Sequence, residues 1–120
     1  MMSSLRAWAL LFGIAFLAGG VLGFVPSVTP NGMLLGIFEV DSMHNYVHIL
    51  SGVVALLAAA SASYSRLFFQ VFGVLYGIVT IVGFANDGDL MIMHVNMADN
   101  YLHLGIAAIA LYLGFMRRAA

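Results

Sequence analysis

The sequence predicts an all-α integral membrane protein, a four-helix bundle made of two tandem helix–loop–helix repeats. Three observations predict it. Of 120 residues, 63% are hydrophobic and only 8% are charged, against roughly a quarter charged in a soluble domain. Four long apolar runs stand in order at about 7–25, 46–63, 67–85 and 101–116. Finally, the second half of the chain repeats the first. The length suits one domain, residues 1–120, with repeat 1 at about 5–63 and repeat 2 at about 64–118.

Each apolar run has about 16–20 residues, close to the ~20 needed to cross a bilayer as a helix. Backbone groups in lipid must be satisfied within the segment, which favours helices. The two shorter runs are completed by the helical turns just before them. Run 1 follows Arg6 and ends in small residues, as a signal peptide does. It is long for such a peptide, and it resembles run 3, so it belongs to the fold. Pro26 and Pro30 stop the first helix from running on. The outer connections, "NGMLLGIFEV" and "GDLMIMHV", are mostly apolar and read as interfacial segments across the end of the bundle. Gly19-x-x-x-Gly23 and Gly73-x-x-x-Gly77 predict close helix approach, as do Ser51, Gly52, Ala55 and Ala59 on the second helix and Ala107, Ala110 and Gly114 on the fourth.

The repeat is explicit. Residues 35–48, "LGIFEVDSMHNYVH", align with 90–103, "LMIMHVNMADNYLH", with Asn45/Asn100, Tyr46/Tyr101 and His48/His103 identical. Residues 12–24 align with 72–84, where Phe12/Phe72, Gly13/Gly73, Gly23/Gly83 and Phe24/Phe84 match. Two spans per unit make a parallel repeat about an axis along the membrane normal. Both Asn-Tyr-x-His motifs then lie at one depth on one side. Arg6, Arg66, Arg117 and Arg118 fall at the opposite end from Glu39, Asp41, Asp87, Asp89, Asp99 and the histidines. The positive-inside rule therefore puts both termini in the cytoplasm, with the His-bearing loops outside. In a bacterium this is a multi-pass protein of the inner membrane.

Other classes are excluded. Without cysteine there is no disulfide, thiolate metal site or thiol nucleophile. The net charge of −1 and the lack of a basic run exclude nucleic-acid binding. No nucleophile–base arrangement is present, and Ser51 is expected to bond its own backbone. No catalytic residue is assigned.

The chemistry-bearing residues cluster at the motif. Asp41 and Asn96 are expected helix N-caps, which puts His44 and Asp99 at the third helical position. A carboxylate suits that position; the same logic does not favour a charged His44. His48 and His103 fall about 9–10 Å into their helices, where an ionisable group faces a partner or a cavity. Three readings follow. In the first, the Asn45–His48 and Asn100–His103 pairs are interhelical glue, with Tyr46 and Tyr101 in the same polar cluster. In the second, His44, His48, His103 and Asp99 hold zinc or a similar ion, with His94 or Glu39 added from the loops. A water ligand there would open metal-assisted hydrolysis, and Met91, Met93, His94 and Met97 offer a copper variant. In the third, His48 and His103 hold haem b, one from each repeat. The working function is a structural or accessory membrane protein, with metal or haem binding as the alternative. Homo-oligomers or a larger complex suit so little extramembrane mass.

The stretch "LLGIFEVDSMHNYVHILSG", followed later by "VNMADNYLHL", resembles the small bacterial membrane proteins catalogued as domain of unknown function 4383. The resemblance covers nearly the whole chain. It implies four transmembrane helices, with Asn-x-x-His opening the second and fourth, the first preceded by His and the second by Asp. Those positions are His44, Asn45, His48 and Asp99, Asn100, His103. The family's motif often starts Asn-Pro. Asp41-Ser42 and Asn96-Met97 replace it here, which changes the helix entry and keeps the six polar positions.

Overall fold

Among residues 3–117, which the computed structural model describes, the apolar runs fold into four α-helices. These are α1 (Ser4–Leu22), α2 (Ser42–Ala58), α3 (Ala62–Ala85) and α4 (Met97–Leu111), the last continued by a π-helical turn, Tyr112–Met116. Arg118 lies outside the described residues. α1 and α3 are long and apolar enough to cross a membrane, with mean hydropathies of 1.9 and 2.1; α2 is a shorter apolar helix. α1 packs chiefly along α2, and α3 along α4.

Small residues set the closeness of the α1–α2 contact. A Cβ placed on Gly52 would stand 2.9 Å from the Gly13 carbonyl oxygen and 2.9 Å from the Leu17 nitrogen. One placed on Gly20 would stand 2.9 Å from the Asn45 oxygen. The expected glycine pairs are each only half used. Gly23 and Gly73 touch a neighbour, but the space beside Gly19 and Gly77 is open to 4 Å. The working stripe is Gly13 and Gly20, seven residues apart and so on one helix face. Ser51, Gly52, Ala55, Ala59, Ala107, Ala110 and Gly114 are buried, as expected.

The core is aromatic at its centre. Phe12 meets Phe69 at 5.1 Å, Phe68 stacks on Phe72 at 4.4 Å, and Phe16 lies 5.4 Å from Tyr76. Large apolar side chains also cover the outer faces, among them Ile14, Leu50, Leu57 and Ile81, all exposed.

Charged groups close both ends. At one end Arg6 Nε donates to the Ala59 carbonyl at 2.6 Å, at the end of α2. Arg66 Nη1 and Gln70 Nε2 both donate to the Gly114 carbonyl, at 3.1 and 3.0 Å, so the π turn's free oxygen is satisfied. Arg117 reaches Ser4 Oγ at 2.7 Å and joins the chain's two ends.

At the other end the connections are tied to each other. The α1–α2 connection carries two 3₁₀ turns, Pro26–Val28 and Pro30–Gly32, and a hairpin of β1 (Met33–Leu34) with β2 (Phe38–Glu39). Between the paired Leu34 and Phe38, the turn closed by the Ile37 amide on the Leu34 carbonyl puts Leu35 and Gly36 at φ 56° and 72°, the left-handed geometry of a primed turn. Asn96 Nδ2 donates to the Ile37 carbonyl at 2.9 Å, and His94 Nδ1 lies 2.7 Å from Glu39 Oε2. The two connections therefore form one cover over the helix ends.

Candidate functional site

The site begins with two helix caps that differ. Asp41 Oδ1 accepts from the His44 amide at 2.7 Å, and Asn96 Oδ1 accepts from the Asp99 amide at 2.9 Å. Both caps fall where the sequence put them. In α4 the box closes, because Asp99 Oδ2 accepts in return from the Asn96 amide at 3.0 Å. In α2 no such box closes. The His44 ring turns inward instead, and Nδ1 lies 3.1 Å from the Glu39 carbonyl oxygen. A carbonyl can only accept, so Nδ1 carries the proton and Nε2 presents its lone pair.

One turn further, His48 stacks edge-on to His44 at 4.4 Å between ring centroids. His103 comes across from α4, 5.5 Å from His44 and 6.1 Å from His48. One nitrogen from each of the three rings lies within 4.8 Å of the others. His44 and His103 are buried; His48 is half-buried with its Nε2 enclosed. Among the described residues, His44 Nε2, His48 Nε2 and both His103 nitrogens lack a hydrogen-bond partner, as do Asn45 Oδ1 and Asn100 Oδ1. Buried polar atoms are nearly always paired, so such a concentration in one place calls for an explanation.

Several predicted site residues stand elsewhere. Asp99 is buried, but its carboxylate is engaged in the capping box and is not among the groups that meet within 4.8 Å. His94 is half exposed and paired with Glu39 in the cover. Met91 and Met97 are exposed, so the thioether set is not gathered around the imidazoles. Tyr46 and Tyr101 are exposed too, and rest on Phe24 and Phe84 at 5.2 and 5.5 Å. Tyr46 is one position from Asn45 and two from His48, about 100° and 200° around the helix, which turns its ring away from the face that carries them.

Sequence reasoning missed the wall of the site. Phe16 lies 5.7 Å from His48, and Tyr76 lies 5.5 Å from His103. Tyr76 Oη and Ser51 Oγ are 3.1 Å apart, while Ser51 also donates to the Val47 carbonyl at 2.8 Å, the backbone bond expected of it. Tyr76 is the one ionisable side chain of the 67–85 run, and a buried tyrosine hydroxyl needs a polar partner, which is the signal the sequence offers. Phe16 and Tyr76 are also equivalent positions of the 12–24 and 72–84 alignment.

An apolar groove of about 390 Å³ runs between α1 and α4. Trp8, Phe12 and Gly19 line one side and Leu102, Ile106 and Ile109 the other, and the groove reaches His44, His48 and Asp99.

No curated protein and no solved structure matches the chain. A family model does, over residues 6–116, which takes in all four helices, the three converging histidines and both asparagines. With its Asn-x-x-His motifs at the start of α2 and α4, this chain belongs to the family described as domain of unknown function (DUF4383).

Proposed function

We propose that this chain is a four-span membrane protein, made of two parallel hairpins, that holds a divalent transition-metal ion beneath its outer face with His44, His48 and His103. One observation carries the metal: three imidazoles from two helices converge with unpaired nitrogens, and a backbone carbonyl sets the tautomer of one. Metal-bound histidines characteristically donate their other nitrogen in this way. Interhelical glue would spend these nitrogens on hydrogen bonds, which they do not make. An all-imidazole set suits zinc, copper, nickel or cobalt. In a tetrahedral shell with Zn–N near 2.0–2.1 Å the nitrogens stand roughly 3.3 Å apart, within reach of small ring rotations. A porphyrin between His48 and His103 would displace His44, which packs against both, so the haem reading is not favoured.

Matched contacts support the duplication. A Cβ on Gly13 would meet Leu56 and one on Gly73 would meet Leu111; likewise Gly23 abuts Asn45 and Gly83 abuts Asn100. Phe16–His48 and Tyr76–His103 correspond, as do Phe24–Tyr46 and Phe84–Tyr101. The apolar outer faces support lipid around the bundle. The arginine end faces the cytoplasm of a bacterial inner membrane, and exposed Leu35, Ile37, Met91 and Ile92 sit at the outer interface. The same exposed faces leave room for a homo-oligomer or a larger complex.

Two experiments test this reading. Cobalt titration of the purified protein is expected to saturate at one ion per chain with the intense visible bands of a tetrahedral site; no binding overturns the metal assignment. The chain lacks cysteine, so single labels are clean. Met91→Cys is expected to react with an impermeant maleimide on intact cells, and Ala60→Cys only after permeabilisation. The reverse pattern overturns the orientation.

A further inference from the structure

The α1–α4 groove is apolar along its length and polar only where it meets His44, His48 and Asp99. Its rims, Leu11 and Ile109, are 55% and 42% exposed, so it opens on the flank that lipid would cover. The ion of the preceding section has three nitrogen ligands; the carboxylate that lines the groove, Asp99, is committed to its cap, and Asp41 caps α2. Neutral imidazoles leave the ion its full positive charge, which favours an anionic oxygen donor at the open position. The ligand that matches both ends has one hydrocarbon chain and one carboxylate.

We propose that the α1–α4 groove binds a long-chain fatty carboxylate. Its tail lies along Trp8, Phe12 and Ile106, and its head completes the coordination of the ion held by His44, His48 and His103. This rests on the metal reading. Without the ion, the Asp99 carboxylate at the same end of the groove repels an anionic head, so binding requires metal. Binding is coordination and burial alone, with no covalent step.

Gly19 makes the groove testable. It lines the groove, and a Cβ there meets nothing within 4 Å, so Gly19→Phe fills the groove without pressing on a helix backbone. The experiment first measures cobalt stoichiometry in wild type and in Gly19→Phe, then follows the visible cobalt spectrum while laurate or acetate is added in nanodiscs. Equal cobalt binding in both proteins is expected. Laurate is expected to change the wild-type spectrum, and Gly19→Phe to need at least about ten times more of it. Acetate, which has no chain, is expected to act on both proteins alike. A laurate response unchanged by Gly19→Phe, or no response in cobalt-loaded wild type, overturns the groove proposal and leaves the metal reading standing. Failure of wild type to bind cobalt overturns both.

Discussion

Replacing His103 with leucine is expected to abolish metal binding and, in chelator, to raise the thermal midpoint of the protein. His103 is 1% exposed, and neither ring nitrogen has a hydrogen-bond partner among the described residues. Each buried, unsatisfied polar group costs about 1–3 kcal/mol. Leucine is apolar and of comparable bulk, so it removes that cost while keeping the contact with Tyr76. With the metal present the order reverses. A ligand at 100 times its dissociation constant stabilises the folded state by about 2.7 kcal/mol, and only wild type can collect that gain. Thermal unfolding of both proteins with EDTA and with zinc therefore gives four midpoints in a predicted order. A structural role for the cluster predicts the opposite in chelator, a clear loss on His103→Leu with no response to zinc. His44→Ala is not an equivalent probe, because it also strips the Glu39 carbonyl of its donor.

Gly52→Ala is expected to be strongly damaging for a single added methyl group. Its Cβ would press on the backbone of α1 at Gly13 and Leu17 as well as on Leu17 Cγ, and the backbone cannot swing aside as a side-chain end can. Overpacking of this kind costs about 1–3 kcal/mol. It outweighs the gain of about 0.8–1 kcal/mol in helix propensity that alanine brings over glycine. The midpoint should fall by several degrees, and the α1–α2 spacing should open. Gly77→Ala and Gly105→Ala, where nothing lies within 4 Å, should leave the midpoint unchanged or slightly raised. Equal effects at Gly52 and Gly77 would mean that the contact does not depend on backbone approach. The comparison also separates the stripe that the structure uses from the Gly-x-x-x-Gly spacing that the sequence offers.

Much of this was legible in the sequence because it is local. Helix positions follow from run length and composition. Caps at Asp41 and Asn96 follow from side chains that can accept from an amide two or three residues on, and the Asp99 box from its spacing to Asn96. The bond from Ser51 to Val47 is within one helical turn. Only half of each expected glycine pair is used, because spacing shows which residues share a face, not which face meets a neighbour. That depends on the crossing of two helices, and it selected Gly13, Gly20 and Gly52 over Gly19 and Gly77. Tyr46 and Tyr101 adjoin the motif asparagines in sequence, yet one residue is about 100° around a helix, enough to put them on the outer face.

By itself, the sequence determined the helical class, the four apolar segments, the internal likeness of the two halves, and the six polar positions at the entrances of α2 and α4. Composition and short-range spacing suffice for these, because each is a property of one segment in its solvent. Only the tertiary structure decided which of the polar residues meet. It brings His103 across to His44 and His48, holds Asp99 in its cap, sends His94 to Glu39, and sets Phe16 and Tyr76 as walls. The difference between His44 and Asp99 acquires its meaning there. A carboxylate at the third helical position closes on its own cap, whereas an imidazole finds its acceptor in the preceding hairpin and points its free nitrogen at two other rings. That outcome depends on where β2 and α4 lie relative to α2, which no local rule specifies.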